Sequence, residues 1–164
     1  KGDAEIRDYI KLRNTRPFMV TEQESLPAKK SVFNRIIGDS HFELEFAAFL
    51  EQCKDVVAYA KNYLAVNFKL DYVNRDGNIS HYYPDFIVKL PKNRIVIVET
   101  KGNADLDTPL KMERLRQWCE DVNKAQNEVR YECLYVEQEE FEKYGAKDFG
   151  ELTKIFQCYK TNEQ

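Results

Sequence analysis

Two stretches of the chain carry apolar residues at the three- and four-residue spacing of an amphipathic helix. The first begins at Ser40 and has its apolar stripe at Phe42, Phe46, Phe49, Leu50 and Cys53. The second begins near Pro109 and has its stripe at Met112, Leu115, Trp118, Cys119 and Val122. Because such a stripe packs on a core while the opposite face meets water, both stretches are predicted helices.

The pattern between and after these helices is that of strands. The run 65–73 has strand character, and the turn-forming residues 75–78 (Arg-Asp-Gly-Asn) follow it. Gly and Asn tolerate positive φ, so we predict a hairpin whose second strand begins near Ile79 and continues through Val88. A turn at 91–93 then leads into the aliphatic run 95–101, which is typical of a strand covered on both faces.

Residues 129–136 alternate as a last strand, so the predicted order is helix, three strands, helix, strand, an α/β fold. A length of 164 residues is enough for one hydrophobic core and too short for two ordinary ones. We therefore expect one domain with a peripheral segment at 1–39, a core at 40–136 and a C-terminal helical extension at 137–164.

The composition limits the class of protein. A content of 43% hydrophobic and 32% charged residues is that of a soluble globular chain, and no run is long enough to cross a bilayer, so no membrane partner is expected. The net charge of −3 argues against coating nucleic acid through bulk positive charge and leaves only a local basic patch open. The four widely separated cysteines predict buried reduced thiols in a cytoplasmic protein rather than zinc ligands: Cys53, Cys119, Cys133 and Cys158.

Three residues near the strand ends have the chemistry of a hydrolytic site. Alternate residues of a strand share a face, so Glu99 and Lys101 point the same way, and pairing across the turn at 91–93 would bring Asp85 towards Glu99. Two carboxylates suit Mg²⁺, and a nearby ammonium would orient water for phosphodiester hydrolysis. Taken alone, Glu99 and Lys101 fit a surface ion pair better, because Glu-x-Lys is common by chance.

The combination of motifs resembles a known family. The resemblance covers roughly residues 40–136. Its core motifs are Tyr82-Tyr83-Pro84-Asp85-Phe86-Ile87-Val88 and Val98-Glu99-Thr100-Lys101-Gly102. Flanking similarity lies at Ser40 to Ala47, Ala60-Lys61-Asn62 and Lys111 to Asn123. These segments are similar to the C-terminal endonuclease domain of type III restriction enzyme Res subunits, a branch of the PD-(D/E)XK nuclease superfamily.

The resemblance implies a restriction-endonuclease-like core: a four-stranded mixed sheet flanked by helices. It also implies cleavage of double-stranded DNA with Mg²⁺, for which Mn²⁺ would substitute, and a catalytic triad at Asp85, Glu99 and Lys101, with the Thr100 carbonyl as a further metal ligand. Partners implied by the family are a modification subunit and a helicase-like ATPase region of the parent chain. No G-x-x-x-x-G-K-[ST] phosphate loop occurs in these residues.

Glu43 has two interpretations. It matches the acidic residue of the family's first core helix, which completes the metal site, so it joins the candidate catalytic residues. It also stands three residues after Ser40, as in a capping box at a helix start. Both interpretations stay open, and Glu45 is a weaker alternative for the metal role.

Four further residues are candidates for contact with DNA phosphates: Lys61, Asn62, Lys111 and Arg114. A Lys-Asn step after a helix is more often a solvated helix end, and charges such as Arg116 are more often simply exposed. Trp118 lies on the apolar stripe, so core packing is favoured over base stacking. Tyr83 would either approach the site or cover the sheet, and neither His41 nor His81 is assigned a role.

Two rival functions remain. A nuclease-like domain of a repair, transposition or mobile-element protein would share this core motif. A catalytically silent domain that binds nucleic acid or a partner protein would keep only the fold, but it has no need of two carboxylates near a phosphate path.

Overall fold

The computed structural model describes residues 4–19 and 24–158. A short 3₁₀ turn at Leu12–Asn14 precedes the regular elements. The strands are β1 Ser25–Pro27, β2 Arg35–Ile37, β3 Ala58–Lys61, β4 Leu70–Val73, β5 Ile79–Tyr82, β6 Phe86–Leu90, β7 Arg94–Lys101 and β8 Arg130–Glu137. The helices are α1 His41–Gln52, α2 Thr108–Ala125, α3 Gln138–Tyr144 and α4 Phe149–Ile155.

A four-stranded mixed sheet, in the order β3-β6-β7-β8, forms the centre of the molecule. The pairs β3/β6 and β6/β7 are antiparallel, whereas β7/β8 are parallel. Parallel neighbours need a crossover connection, and α2 supplies it between β7 and β8. The predicted mixed sheet flanked by helices is therefore confirmed, and the architecture is consistent with a restriction-endonuclease-like fold.

Strand β7 is covered on both faces, as its unbroken aliphatic sequence predicted. Val96 and Val98 belong to the core that includes Phe46 and other apolar residues of α1. Ile97 belongs to a second core, which contains Met112 and other residues of α2. Alternate residues of β7 therefore face different helices, and the sheet separates an α1 face from an α2 face.

The predicted strand bounds need two corrections between α1 and β6. The predicted strand at 65–73 exists only as β4, and the sheet strand β3 was missed. The predicted second strand from Ile79 is divided into β5 and β6, because Pro84 has no N–H to continue a ladder. The predicted hairpin is confirmed: β4 pairs with β5, and Gly77 has a φ of +82° in the turn.

The strands at the two edges of the main sheet are covered by other segments. On β3, Tyr59 N–H donates to the Lys30 carbonyl at 3.2 Å and its carbonyl accepts from Val32 N–H at 3.0 Å. On β8, Tyr135 N–H donates to the Gln157 carbonyl at 3.1 Å. Both outer strands therefore bond to chain that lies outside the sheet.

A disulfide joins Cys133 of β8 to Cys158. The expectation of four reduced thiols was therefore wrong for these two cysteines. They lie close together because the residues after α4 return to β8, and no local pattern in the sequence predicts that return. Cys53 and Cys119 are free and buried, as expected. Among the residues that the structure describes, none of the helices is both long and apolar enough to cross a bilayer.

The predicted outer segments are described only in part. Residues 1–3 and 20–23 of the N-terminal segment and 159–164 of the C-terminal extension lie outside the described residues. Within the rest, β1 and β2 form a small antiparallel pair before α1, and α3 and α4 follow β8.

Candidate active site

The antiparallel register of β6 and β7 brings two carboxylates together at one end of the sheet. Phe86 pairs with Val98, so one step further along both strands places Asp85 opposite Glu99. Burial and the negative charge of Asp85 raise the pKa of Glu99 to about 8. The two acidic groups are therefore close enough to repel each other, and Glu99 is buried.

Asp85 lies where the two faces of the sheet meet. Its Oδ2 accepts hydrogen bonds from the backbone N–H and the hydroxyl of Thr100, both at 2.8 Å. Its Oδ1 lies 3.8 Å from the ammonium of Lys61. Lys61 ends β3, which flanks β6 on the other side from β7, the strand of Glu99. We call Glu99, Lys101, Asp105 and Lys111 the α2 side. We call Asp39, Glu43 and Lys61 the α1 side.

Glu99 is held from the α2 side by a buried tyrosine. Its side chain is 7% exposed, and its Oε2 accepts a hydrogen bond from the hydroxyl of Tyr82 at 2.8 Å. This hydrogen bond and the charge of Lys101 lower the pKa of Glu99, but they offset only part of the effect of burial and Asp85. Tyr83 was a candidate from the sequence and Tyr82 was not, since no spacing distinguishes these adjacent tyrosines.

Lys101 shares an acidic partner with Lys111. The ammonium groups of Lys101 and Lys111 lie 3.3 Å and 3.2 Å from Asp105 Oδ2, and their side chains are 24% and 22% exposed. Burial alone would raise the pKa of Asp105, but hydrogen bonds from Lys111, Thr108 and Lys101 lower it below its ordinary range. Asp105 is a further site residue, and no motif in the sequence predicted it.

A family model described as an endonuclease domain matches residues 29–139, which is more than half of the chain. The chain belongs to this endonuclease family. Membership indicates nuclease activity, and the matched range includes both sides of the site. Searches of curated proteins and of solved structures found no match.

On its α1 side, the endonuclease domain contains a buried cation. The Lys61 side chain is 3% exposed, and its ammonium lies 3.4 Å from Glu43 and 3.5 Å from Asp39. Burial alone would lower the pKa of Lys61, but Asp85, Glu43 and Asp39 raise it, so the side chain is a cation. The interpretation of Lys61 as a solvated helix end was wrong, because it ends strand β3 beneath α1.

Asn62 continues the contact with the segment that carries Asp85. Its backbone N–H donates to the Asp85 carbonyl at 2.7 Å, and its side-chain amide donates to the Pro84 carbonyl at 2.8 Å. Asn62 is 5% exposed. Neither Lys61 nor Asn62 thus presents its polar group on the surface, where a direct phosphate contact would require it, and their predicted contact with DNA stays untested.

Glu43 forms one half of the predicted capping box, and its role at a metal ion stays a prediction. Ser40 Oγ accepts from Glu43 N–H at 3.3 Å, which caps α1, while Glu43 Oε2 accepts from Asp39 N–H at 2.6 Å instead of from the cap residue itself. Burial raises the pKa of Glu43, and the ammonium of Lys61 opposes this. Its carboxylate therefore has both a capping contact and a contact within the site.

The other candidates lie along or near α2. Arg114 donates through Nε to the Asp71 carbonyl at 3.0 Å, so its guanidinium lies between α2 and the hairpin. Arg116 forms an exposed ion pair with Glu113. Trp118 packs edge-on against other aromatic rings, as its place on the apolar stripe predicted.

The donors at the end of the sheet fit a hard divalent cation. Asp85 and Glu99 supply carboxylate oxygens, and a cation between them would remove the repulsion that raises the pKa of Glu99. Within the described residues, no three His, Cys, Asp or Glu side chains form a ready metal cage. A two-carboxylate site suits Mg²⁺, which keeps several waters that substrate phosphate displaces.

Proposed function

We propose that this endonuclease domain hydrolyses DNA phosphodiester bonds with a divalent ion, Mg²⁺ or Mn²⁺, bound by Asp85 and Glu99. The observation that carries the proposal is the junction of these two carboxylates at the end of β6 and β7, where burial and Asp85 raise the pKa of Glu99 to about 8. Such repulsion is costly unless a cation binds there. A further oxygen ligand, as the resemblance implies, is the Thr100 carbonyl.

The protein groups around the ion have separate tasks. When bound, the divalent ion would offset charge on the phosphate and on the attacking and leaving oxygens. Asp85 is fixed by its two hydrogen bonds from Thr100, and Glu99 is fixed by Tyr82. Both ligands are therefore oriented before any ion or DNA arrives, which reduces the reorganisation needed for reaction.

Lys101 is the group that positions water. Its ammonium follows Glu99 on the same face of β7 and is partly exposed, so it can donate a hydrogen bond to a water molecule beside the scissile phosphate. The contact with Asp105 is with an exposed carboxylate, and such pairs exchange easily with water. Lys101 is therefore free to turn towards substrate.

We assign DNA-backbone contact to Lys111 and Arg114 on α2. Lys111 lies beside Lys101 through their shared partner Asp105, and Arg114 follows one turn later. These residues place two further cations beside Lys101 on the α2 side, in a chain whose net charge is −3. Double-stranded DNA would thus approach from the α2 side.

The biological setting that we propose is a type III restriction enzyme or a related helicase–nuclease. It rests on the resemblance of the motifs around Asp85 and Glu99, and it implies a motor region and a modification subunit as partners. We propose the cytoplasm as its compartment because of the same resemblance, although the Cys133–Cys158 disulfide is of a kind that is rare there. ATP-dependent cleavage by the full-length gene product would test the motor, and its absence would favour a repair or mobile-element nuclease.

The experiment that tests the chemistry compares metal binding and plasmid cleavage in one set of variants. We expect Asp85→Asn and Glu99→Gln each to weaken Mn²⁺ binding at least tenfold in titration calorimetry and to abolish cleavage. The matched control is Glu132→Gln, which removes a carboxylate paired with Arg94 at the opposite end of β7. Metal binding that survives both site substitutions would contradict the proposal and favour the catalytically silent domain.

A further inference from the structure

Lys61 is a cation that the chain itself places inside the site. Its ammonium lies 3.4 Å from Glu43 Oε2, 3.5 Å from Asp39 Oδ2 and 3.8 Å from Asp85 Oδ1. Its side chain is almost fully buried, and an unpaired ammonium would not be stable there. The three carboxylates and this ammonium therefore form one connected group of charges on the α1 side.

The surroundings of Lys61 fix the position of the ammonium. It lies 5.9 Å from the ring centre of Tyr63 and 5.8 Å from that of Phe86, which restricts movement of the side chain. Glu43 is fixed too, because its Oε2 also accepts from Asp39 N–H at 2.6 Å. Lys61 is consequently an ordered, buried part of the site.

The position of Asp85 bears on whether a second metal ion can bind. In two-metal nucleases the ions lie about 3.5–4 Å apart and are bridged by shared oxygens. Asp85 is the carboxylate that meets both sides here, because its charge raises the pKa of Glu99 on the α2 side and its Oδ1 lies 3.8 Å from the ammonium of Lys61 on the α1 side. A second ion held between Asp85 and Glu43 would have to lie where the ammonium of Lys61 already lies.

We propose that Lys61 takes the place of a second metal ion, so that the site binds a single divalent ion and Glu43 anchors Lys61 instead of metal. This inference rests on the proposed function of Asp85 and Glu99 as metal ligands. Lys61 acts through Asp85 and is a positioning residue. It balances the charge of Asp85 on the α1 side.

Counting bound Mn²⁺ tests the inference directly. The whole 164-residue chain is titrated with Mn²⁺ in calorimetry, and free Mn²⁺ is counted by electron paramagnetic resonance. We expect one equivalent in the wild type and, within threefold in Kd, in Glu43→Gln. Lys61→Met should admit a second, weaker equivalent, which is lost again in the double variant with Glu43→Gln.

Two further variants separate position from charge. Lys61→Arg keeps a cation and should bind one equivalent, as the wild type does. Lys89→Met is the matched control, because it removes an exposed lysine from β6, and its stoichiometry should stay at one. Circular dichroism establishes which variants are folded.

The possible outcomes are distinct. Two equivalents in the wild type, one of which disappears in Glu43→Gln, would overturn the inference and leave the metal site of the proposed function intact. A folded Lys61→Met that still binds one equivalent would also overturn it. If Lys61→Met does not fold, the wild type and Glu43→Gln decide. No binding by the wild type would contradict the proposed function itself.

Discussion

Two lysines flank the same pair of carboxylates, and their surroundings differ in almost every respect. Lys61, on the α1 side, is 3% exposed and has three acidic partners, whereas Lys101, on the α2 side, is 24% exposed and shares one acidic partner with Lys111. A buried charge with several partners is held in one place, while an exposed pair exchanges with water. Burial therefore suits Lys61 to a structural role and leaves Lys101 accessible for the proposed chemistry.

The strongest test of this comparison is the loss of the chemical role on the α2 side. We expect Lys101→Met to slow plasmid cleavage about 10²- to 10⁴-fold, the contribution typical of a positioned proton-transfer group. Mn²⁺ affinity should change far less than the cleavage rate, because Lys101 is not a ligand and affects binding only through its charge beside Glu99. Arg94→Met is the control, since it removes a cation at the far end of β7, roughly 23 Å away at 3.3 Å per residue. An equal loss of cleavage in both variants would contradict a specific role for Lys101.

The second test concerns stability. Lys61→Met leaves three carboxylates without their cation, and we expect it to lower the free energy of unfolding by about 3 kcal/mol, as when one partner of a buried ion pair is removed. Lys101→Met breaks only an exposed pair and should change it by less than about 1 kcal/mol. Urea unfolding of both variants measures the difference. Similar values for the two would show that their surroundings are energetically alike.

The pH dependence of metal binding tests the role of Glu99, on the α2 side. Because the pKa of Glu99 is raised to about 8, the group is protonated at neutral pH and must lose its proton to bind metal. Mn²⁺ affinity should therefore rise about tenfold per pH unit up to pH 8 and level off above it. Titration calorimetry from pH 6 to 9 would show this, and a flat profile would contradict the assignment of Glu99.

The same shift predicts an opposite trend in the metal-free protein. A raised pKa means that Glu99 favours the folded state most below its ordinary value of 4.5, and this contribution is lost as the pH rises to about 8. Glu99→Gln should remove this decrease in stability at high pH and therefore raise the melting temperature at pH 8 and above. Thermal melts in a chelator would measure it.

The smallest expected effect comes from the tyrosine that fixes Glu99. Tyr82→Phe removes the hydroxyl that donates to the Glu99 carboxylate and should raise the pKa of Glu99 further. We expect Mn²⁺ binding at pH 7 to weaken about three- to tenfold, the range of one ordinary hydrogen bond of about 0.5–1.5 kcal/mol. Tyr83→Phe is the matched control, and an equal effect there would argue against a specific role for Tyr82.

The two sides of the site were not equally predictable from sequence. Strand alternation placed Glu99 and Lys101 on one face, and the short turn after β6 fixed the register that brings Asp85 opposite Glu99. These relations are local, since they depend on residues within two adjacent strands. The arrangement of these three residues could therefore be predicted from the amino-acid sequence alone.

The α1 side depends on contacts that no local pattern encodes. Strand β3 is four residues long and lies only a few residues after α1, so its apolar residues did not stand out as a strand. The environment of Lys61 is set by α1 packing over the end of that strand. The contact of Asp105 with Lys101 similarly depends on how the loop before α2 folds. Tertiary packing, not propensity, decided each of these positions.

The covered edges of the main sheet also bear on aggregation of the protein. An open edge strand has unpaired backbone N–H and C=O groups that can pair with a strand of another molecule, which commonly initiates aggregation. Here the segment around Lys30 lies along β3, and the segment around Gln157 lies along β8 and is fastened to it by the Cys133–Cys158 disulfide. Reduction of that disulfide would remove the covalent link that keeps this segment on β8, so we expect the protein to self-associate more readily in reducing solution.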